Sequence, residues 1–257
     1  MLLAIDAGNT NVVFAVYDGE RQVAKWRIST SGRRTSDEYA VWLIQLMHLA
    51  GLHRNDITDA VFASVVPAVT FNLLRLCREF FHCEPLVVGQ PGVDLGIRVR
   101  LDNPEEVGAD RLVNAIAAQR LHRPPLIVID FGTATTFDVI DGNGDYRGGA
   151  IAPGIYMSIE ALHNAAALLP KIDVVKTDKV IGTSTVSAMQ SGVFWGYIGM
   201  IEGMVARIKQ EFGTAMTVIA TGGLAGLFSR ATDIIDDTDG ELTLRGLVYI
   251  HASNRTA

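Results

Sequence analysis

Cysteine is scarce in this chain, with Cys77 and Cys83 the only two among 257 residues. Two thiols six positions apart cannot build a disulfide framework and do not match zinc-ligand spacing, so both read as buried free thiols. Basic runs are also missing: none exceeds the pair Arg33-Arg34, and the net charge is −6, which argues against a nucleic-acid surface. No apolar stretch approaches the roughly 18 residues of a membrane helix, and the chain opens on a strand-like run. We therefore expect no membrane span, no signal peptide and a cytoplasmic location. Neither Gly-x-x-x-x-Gly-Lys-Ser/Thr nor Gly-x-Gly-x-x-Gly before a helix occurs, which removes P-loop and dinucleotide-binding sites. The six histidines, His48, His53, His82, His122, His163 and His251, lack metal spacing and read as surface or helix-end residues. The acidic run Asp233, Asp236, Asp237 and Asp239 lacks calcium-loop spacing and a closing Glu, so it reads as a solvated loop.

What is present is a motif that occurs twice. Leu3-Ala4-Ile5-Asp6-Ala7-Gly8-Asn9-Thr10 and Ile127-Val128-Ile129-Asp130-Phe131-Gly132-Thr133-Ala134 each run from an apolar strand through an Asp to a polar Gly turn. A second β-rich run follows each turn, Val12 to Tyr17 and Thr135 to Ile140. The two Asp residues lie 124 positions apart, so the chain reads as duplicated halves, 1–123 and 124–257, with an expected nucleotide cleft between them. Each turn offers backbone N–H groups, hydroxyls and a carboxylate able to hold a cation, which suits a polyphosphate and its metal. With 49% hydrophobic and 19% charged residues, a chain of this length can bury a sizeable core.

Between the motifs, strands and helices alternate. Thr35-Ser36-Asp37-Glu38 is a capping box before Tyr39, Trp42, Leu43, Leu46 and Met47. Ala60 to Val66 reads as a strand stopped by Pro67, with Phe71, Leu74 and Phe81 in the next helix. Leu86 to Val88 and Ile97 to Leu101 read as strands. A helix is expected to start at Asn103-Pro104-Glu105-Glu106, carry Gly108, Asp110 and Arg111, and stop at Pro124-Pro125. The second half is expected to hold helices over 155–169 and 185–212, the latter with Gly192, Gly196, Gly199 and Gly203 at close-packing intervals. Thr217 to Ala220 reads as a buried strand before Thr221-Gly222-Gly223, a third backbone-exposing turn suited to a nucleoside.

Three segments in order, Asp6-Ala7-Gly8-Asn9-Thr10-Asn11, Asp102 to Arg111 with its Gly108-Ala109-Asp110-Arg111, and Asp130-Phe131-Gly132-Thr133-Ala134-Thr135-Thr136, resemble the signature of the type III pantothenate kinases. The likeness extends to Gly182–Thr185 and Thr221–Leu224. It implies an α/β fold of duplicated ribonuclease-H-like, actin-like halves. It also implies ATP-dependent phosphorylation of pantothenate, the first step towards coenzyme A, in a homodimer that needs Mg²⁺ and K⁺ or NH₄⁺. By the same resemblance, Asp6, Ala7, Gly8, Asn9, Thr10, Asn11, Val12 and Val13 receive ATP phosphates, Thr133 contributes from the second hairpin, and Asp130 holds the monovalent cation. Gly108, Ala109, Asp110 and Arg111 would contact pantothenate with Asp110 as base, and Thr185 would touch the same substrate. Two positions depart from many relatives: Leu101 stands where an aromatic residue is common, and Thr183 where a basic one is. Another small-molecule kinase of the superfamily, for a sugar or acetate, is the alternative enzyme. A non-catalytic regulator would call for an added helix-turn-helix and a basic face.

Overall fold

The computed structural model describes residues 1–165 and 169–255, which pack as two compact units. The first comprises Met1–Arg98, Asp102–Arg120 and the segment from Glu241 onward. Its sheet contains β1 (Leu2–Ala7), β2 (Asn11–Asp18), β3 (Arg21–Ser29), β4 (Asp59–Ser64) and β5 (Leu86–Val87), in the order β3-β2-β1-β4-β5. The first three strands run antiparallel as a meander, while β1–β4 and β4–β5 are parallel. On one face, Leu3, Ile5, Phe14 and Val16 pack with Tyr39, Leu43 and Met47 of α1 (Ser36–Leu49) and Leu73 of α2 (Pro67–Arg75). The other face carries Leu2, Ala4, Ala15 and Tyr17 against α3 (Ala109–Leu121) and the last helix, α7 (Leu242–Arg255), through Val113, Ile116, Leu244 and Leu247. Helices on both faces explain why β1 is an apolar run without polar alternation.

The second unit, Val99–Leu101 with Leu121–Gly240, repeats that plan. Its strands are β6 (Leu126–Phe131), β7 (Ala134–Ile140), β8 (Tyr146–Pro153), β9 (Thr217–Gly222) and β10 (Asp237–Thr238). Read as β8-β7-β6-β9-β10, they have the same order and the same strand senses as the first sheet. The fold is α/β, with two ribonuclease-H-like halves. The packing units differ from a cut at 123/124 chiefly in that α7 belongs with the first sheet. One face of the second sheet, through Ile127, Ile129, Phe137 and Val218, packs against Ile155 and Ile159 of α4 (Ile155–Ala165) and Phe194, Tyr197, Ile198, Ile201 and Val205 of α5 (Thr185–Phe212). Those α5 positions recur at helical spacing, and the helix starts on a Ser184 cap and ends at Gly213 with φ +75°. Short α6 (Ala225–Phe228) adds Phe228, stacked on Phe194 and Tyr197.

Local expectations meet mixed outcomes. The Thr35 capping box is present. Pro67 does not merely stop β4; it occupies the first turn of α2, where its missing N–H costs nothing. Phe71 is exposed, and Phe81 lies beyond a π-helical turn, Leu76–Phe80, that follows α2. Ile97 to Leu101 forms no strand, only a bridge from Val99 to Tyr146. Asn103 makes no side-chain cap: Pro104–Glu106 is a separate 3₁₀ turn, and α3 begins at Ala109 after Gly108. Residues 166–168 of the expected helix over 155–169 lie outside the described residues, and Leu169 is not helical. Asp237 and Thr238 form the edge strand β10 rather than loop, although both stay exposed. His251 sits in the last turns of α7 but is buried, 3.7 Å from Asp59, and burial holds its pKa down. Both cysteines are free, and burial pushes the Cys77 thiol up and out of reactive range. Among the described residues no helix is long and apolar enough to cross a membrane.

Candidate active site

In the first unit the site grows from the end of the central strand. Asp6 and Ala7 close β1 in register with Val13 and Val12 of β2. The Gly8-Asn9-Thr10 turn between them is held by Gly8 N–H donating to the Asn11 carbonyl at 3.0 Å. Thr30, just after β3, grips the same turn twice: its N–H donates to the Thr10 carbonyl at 3.0 Å and its hydroxyl to the Gly8 carbonyl at 2.6 Å. Nothing in the pattern of the sequence singled out Thr30. Gly8 and Gly132 are not in the left-handed region. A Cβ at either would make only ordinary contact, 3.5 Å from a backbone oxygen. The turns therefore do not require glycine for their own geometry. What glycine does is leave the turn backbone uncovered.

The Gly108–Arg111 segment lies beside this hairpin. Val65 N–H donates to the Ala7 carbonyl at 3.1 Å, and Val65 is also the ordinary van der Waals neighbour of the Gly108 position. Val65 lines a groove of about 510 Å³ with Ser64, Pro67, Thr70, Phe71 and Leu74. Gly108 lets the Asp110 carboxylate sit where it does, since a Cβ would come within 2.6 Å of Asp110 Oδ1 and push that side chain aside. Its carbonyl accepts from the Arg111 and Leu112 N–H groups and so opens α3. Asp110 in that first turn takes the Arg111 N–H on Oδ1 at 2.8 Å. Burial raises its pKa, and the backbone N–H and charge of Arg111 offset part of that rise. A half-buried carboxylate of raised pKa at a helix start is a better proton acceptor than an exposed one.

In the second unit Asp130 and Thr133 share one hairpin. Asp130 stands opposite Thr136 of β7 and beside Thr221 of β9. Gly222, with φ +88°, lets two oxygens close in: a Cβ there would lie 2.6 Å from both Asp130 Oδ1 and the Phe131 carbonyl. Gly154 does the same for Thr133, whose carbonyl accepts its N–H at 3.1 Å and would be only 2.0 Å from a Cβ. Carboxylate and carbonyl oxygens are the donor set that hard cations take, so the residues at the end of β6 suit an alkali or ammonium ion. Among the described residues no three His, Cys, Asp or Glu side chains form a metal cluster.

Thr185, the first residue of α5, is not on that hairpin. It lines an apolar groove of about 750 Å³ with Ile155, Met189, Gly192 and Tyr197. The groove reaches the hairpin through Tyr197, whose hydroxyl pairs with Thr135 at 2.6 Å and donates to the Pro153 carbonyl at 2.8 Å. Both departures are also placed. Leu101 sits over Gly148 of β8, whose φ of +93° and bare Cα make room for it. Thr183 lies in the turn entering α5, its N–H donating to Ser187 Oγ at 3.0 Å.

The profile of the family described as type III pantothenate kinase matches residues 2–207. A type III pantothenate kinase of Paramagnetospirillum magneticum is 62% identical over 256 residues, covering 100% of this chain and 98% of its own. One from Rhodospirillum rubrum is 60% identical over 255 residues, covering 99% of each. Among solved structures, the ROK hexokinase of Thermus thermophilus superposes with a TM-score of 0.51 at 14% identity, covering 100% of this chain and 99% of that one. The ethanolamine utilization protein EutJ of Carboxydothermus hydrogenoformans gives 0.56 at 16% identity, covering 96% and 89%. These two likenesses bear on the fold alone, whereas the full-length identities establish kinship: the chain belongs to the type III pantothenate kinase family.

Proposed function

We propose that this chain transfers the γ-phosphoryl group of ATP to the primary hydroxyl of pantothenate, giving 4′-phosphopantothenate and ADP in the cytoplasm. The observation that carries the assignment of roles is the Gly108-Ala109-Asp110-Arg111 turn, tied through Val65 to the Ala7 carbonyl at the end of β1. Asp6 to Val13 receive the phosphates on an uncovered turn, and Thr133 contributes from its own hairpin. Arg111, Gly108, Ala109 and Thr185 hold pantothenate. Asp110 orients the acceptor hydroxyl and takes its proton late, as the new O–P bond forms and the bond from phosphorus to ADP breaks. Positioning and charge neutralisation do most of the work in such a transfer. Mg²⁺ arriving with ATP, and K⁺ or NH₄⁺ at Asp130, neutralise phosphate charge. ATP consumption with pantothenate, against a panel of sugars and carboxylates, tests the reading. Turnover is expected with pantothenate only, and in KCl or NH₄Cl but not in NaCl alone. Turnover with a sugar alone would overturn the substrate, and equal rates in NaCl the role of Asp130.

The working form is a homodimer. Ile151, Tyr156, Met157, Val180, Ile181 and Val186 of the second unit are large, apolar and exposed, and a partner copy is what would cover them. Along α5, a Cβ at Gly192, Gly196 or Gly199 would meet nothing within 4 Å beyond its own helix among the described residues, so these glycines leave a bare helix face there. Sedimentation should give a dimer, and Gly199→Leu should loosen the dimer and lower activity together. A monomer that keeps full specific activity on dilution would contradict this.

A further inference from the structure

One polar group on the second sheet is used by nothing above. On β7, Thr135, Phe137 and Val139 face the helices, so Thr136 and Asp138 lie on the opposite face, the face of Asp130. Asp130 and Thr136 are direct cross-strand partners, which places their Cβ atoms about 4.5–5.5 Å apart. The Thr136 hydroxyl donates to Asp138 Oδ2 at 3.0 Å, and the other oxygen of that buried carboxylate accepts from the Tyr146 hydroxyl at 2.6 Å. Tyr146 is itself fully buried, and its backbone carbonyl accepts the Arg100 N–H at 2.8 Å.

A threonine hydroxyl has one hydrogen and two lone pairs. Opposite a carboxylate, it would ordinarily turn its hydrogen towards that carboxylate and so present a positive edge where a cation should sit. Asp138 takes the hydrogen instead. The lone pairs are then left for the side of the residue that faces Asp130.

We propose that Thr136 supplies a second side-chain oxygen to the monovalent cation assigned to Asp130, and that Asp138 and Tyr146 are positioning residues that orient the Thr136 hydroxyl for it. This rests on the reading of Asp130 given above. Outer partners that orient a ligand typically change metal affinity by about 10- to 100-fold when removed.

The test is thermal melting of the protein with Mg²⁺ and a non-hydrolysable ATP analogue, with KCl titrated against NaCl at constant ionic strength. Wild type should be stabilised by K⁺ with a defined midpoint. Thr136→Val keeps the β-branched shape and removes the liganding oxygen itself; its K⁺ midpoint should rise by at least the roughly 10- to 100-fold that loss of an outer partner produces. Thr136→Ser should restore it, and Tyr146→Phe should shift it in the same direction by less. If Thr136→Val lowers melting equally at every K⁺ concentration and leaves the midpoint in place, Thr136 is structural and the proposal fails. Absence of any K⁺-specific stabilisation in wild type would instead remove the Asp130 reading on which it stands. Because these variants leave Asp138 in place, the result does not depend on whether a change at that buried carboxylate still folds.

Discussion

Asp110→Asn is expected to give a folded protein that binds ATP normally and turns over about 10² to 10⁴ times more slowly. The amide keeps the shape of the carboxylate but cannot accept the proton of the pantothenate hydroxyl. A second consequence follows from burial. Asp110 has a pKa raised above its ordinary 3.8, so in the folded chain its charged form is the costly one. The unfolded chain ionises first as pH rises; stability is therefore intact below the ordinary value and is lost as pH climbs through the raised, folded one. At neutral pH wild type bears that cost and the Asn variant does not. The variant should melt higher than wild type at pH 7, with the gap closing towards pH 4. Lost turnover in a protein of equal or greater stability marks a residue kept for chemistry. Near-normal turnover with a lower melting temperature would make Asp110 a structural partner of Arg111.

Gly222→Ala should be among the damaging single-methyl changes near the second hairpin, and it alone joins a backbone clash to a positive φ there. The backbone φ of +88° is one that an L-residue adopts only at a cost of about 1–3 kcal/mol. The new Cβ would also lie 2.6 Å from the Phe131 carbonyl oxygen and from Asp130 Oδ1. Backbone cannot swing aside as a flexible side chain can, so β6 and β9 must part or Asp130 must move. Both effects should appear together, as a lower melting temperature and a weaker response of nucleotide binding to K⁺. Gly223→Ala is the control, because a Cβ there meets nothing within 4 Å. Equal behaviour of the two variants would show that the close approach at Gly222 does not matter.

The contrast between these neighbouring glycines shows what a sequence can and cannot convey. Both belong to one polar Thr-Gly-Gly stretch, and their identity predicts a turn and little else, although Gly222 ends β9 and only Gly223 is in the turn. Gly222 is required because β9 runs parallel to β6 with Phe131 and Gly222 in register, a pairing set by residues some ninety positions apart. Thr30 and Val65 were silent for the same reason. Thr30 acts through two hydrogen bonds and Val65 through one, each to a segment distant in the chain, and neither belongs to a spacing that local pattern can reveal. The start of α3 is not legible locally, because Asn103-Pro104-Glu105-Glu106 carries the Pro and acidic first-turn signals of a helix start. The chain spends those signals on a 3₁₀ turn, and Gly108 begins α3 anew with its carbonyl while making room for the Asp110 carboxylate.

Sequence alone determined the duplication, the α/β class and the kinase family, because these rest on local patterns: apolar runs that must be buried on both faces, Asp–Gly turns that end them, and an ordered set of short motifs. The 28-residue α5 and the Thr35 capping box were legible for the same reason, since their signals lie within a few residues of one another. Only the tertiary structure decided that α7 returns to the first sheet, that Val65 joins the Ala7 carbonyl to Gly108, and that Thr136 stands across from Asp130. Those facts depend on strand register and on backbone approach between distant segments. Register is chosen by the burial of whole faces at once, not by any residue's neighbours in the chain.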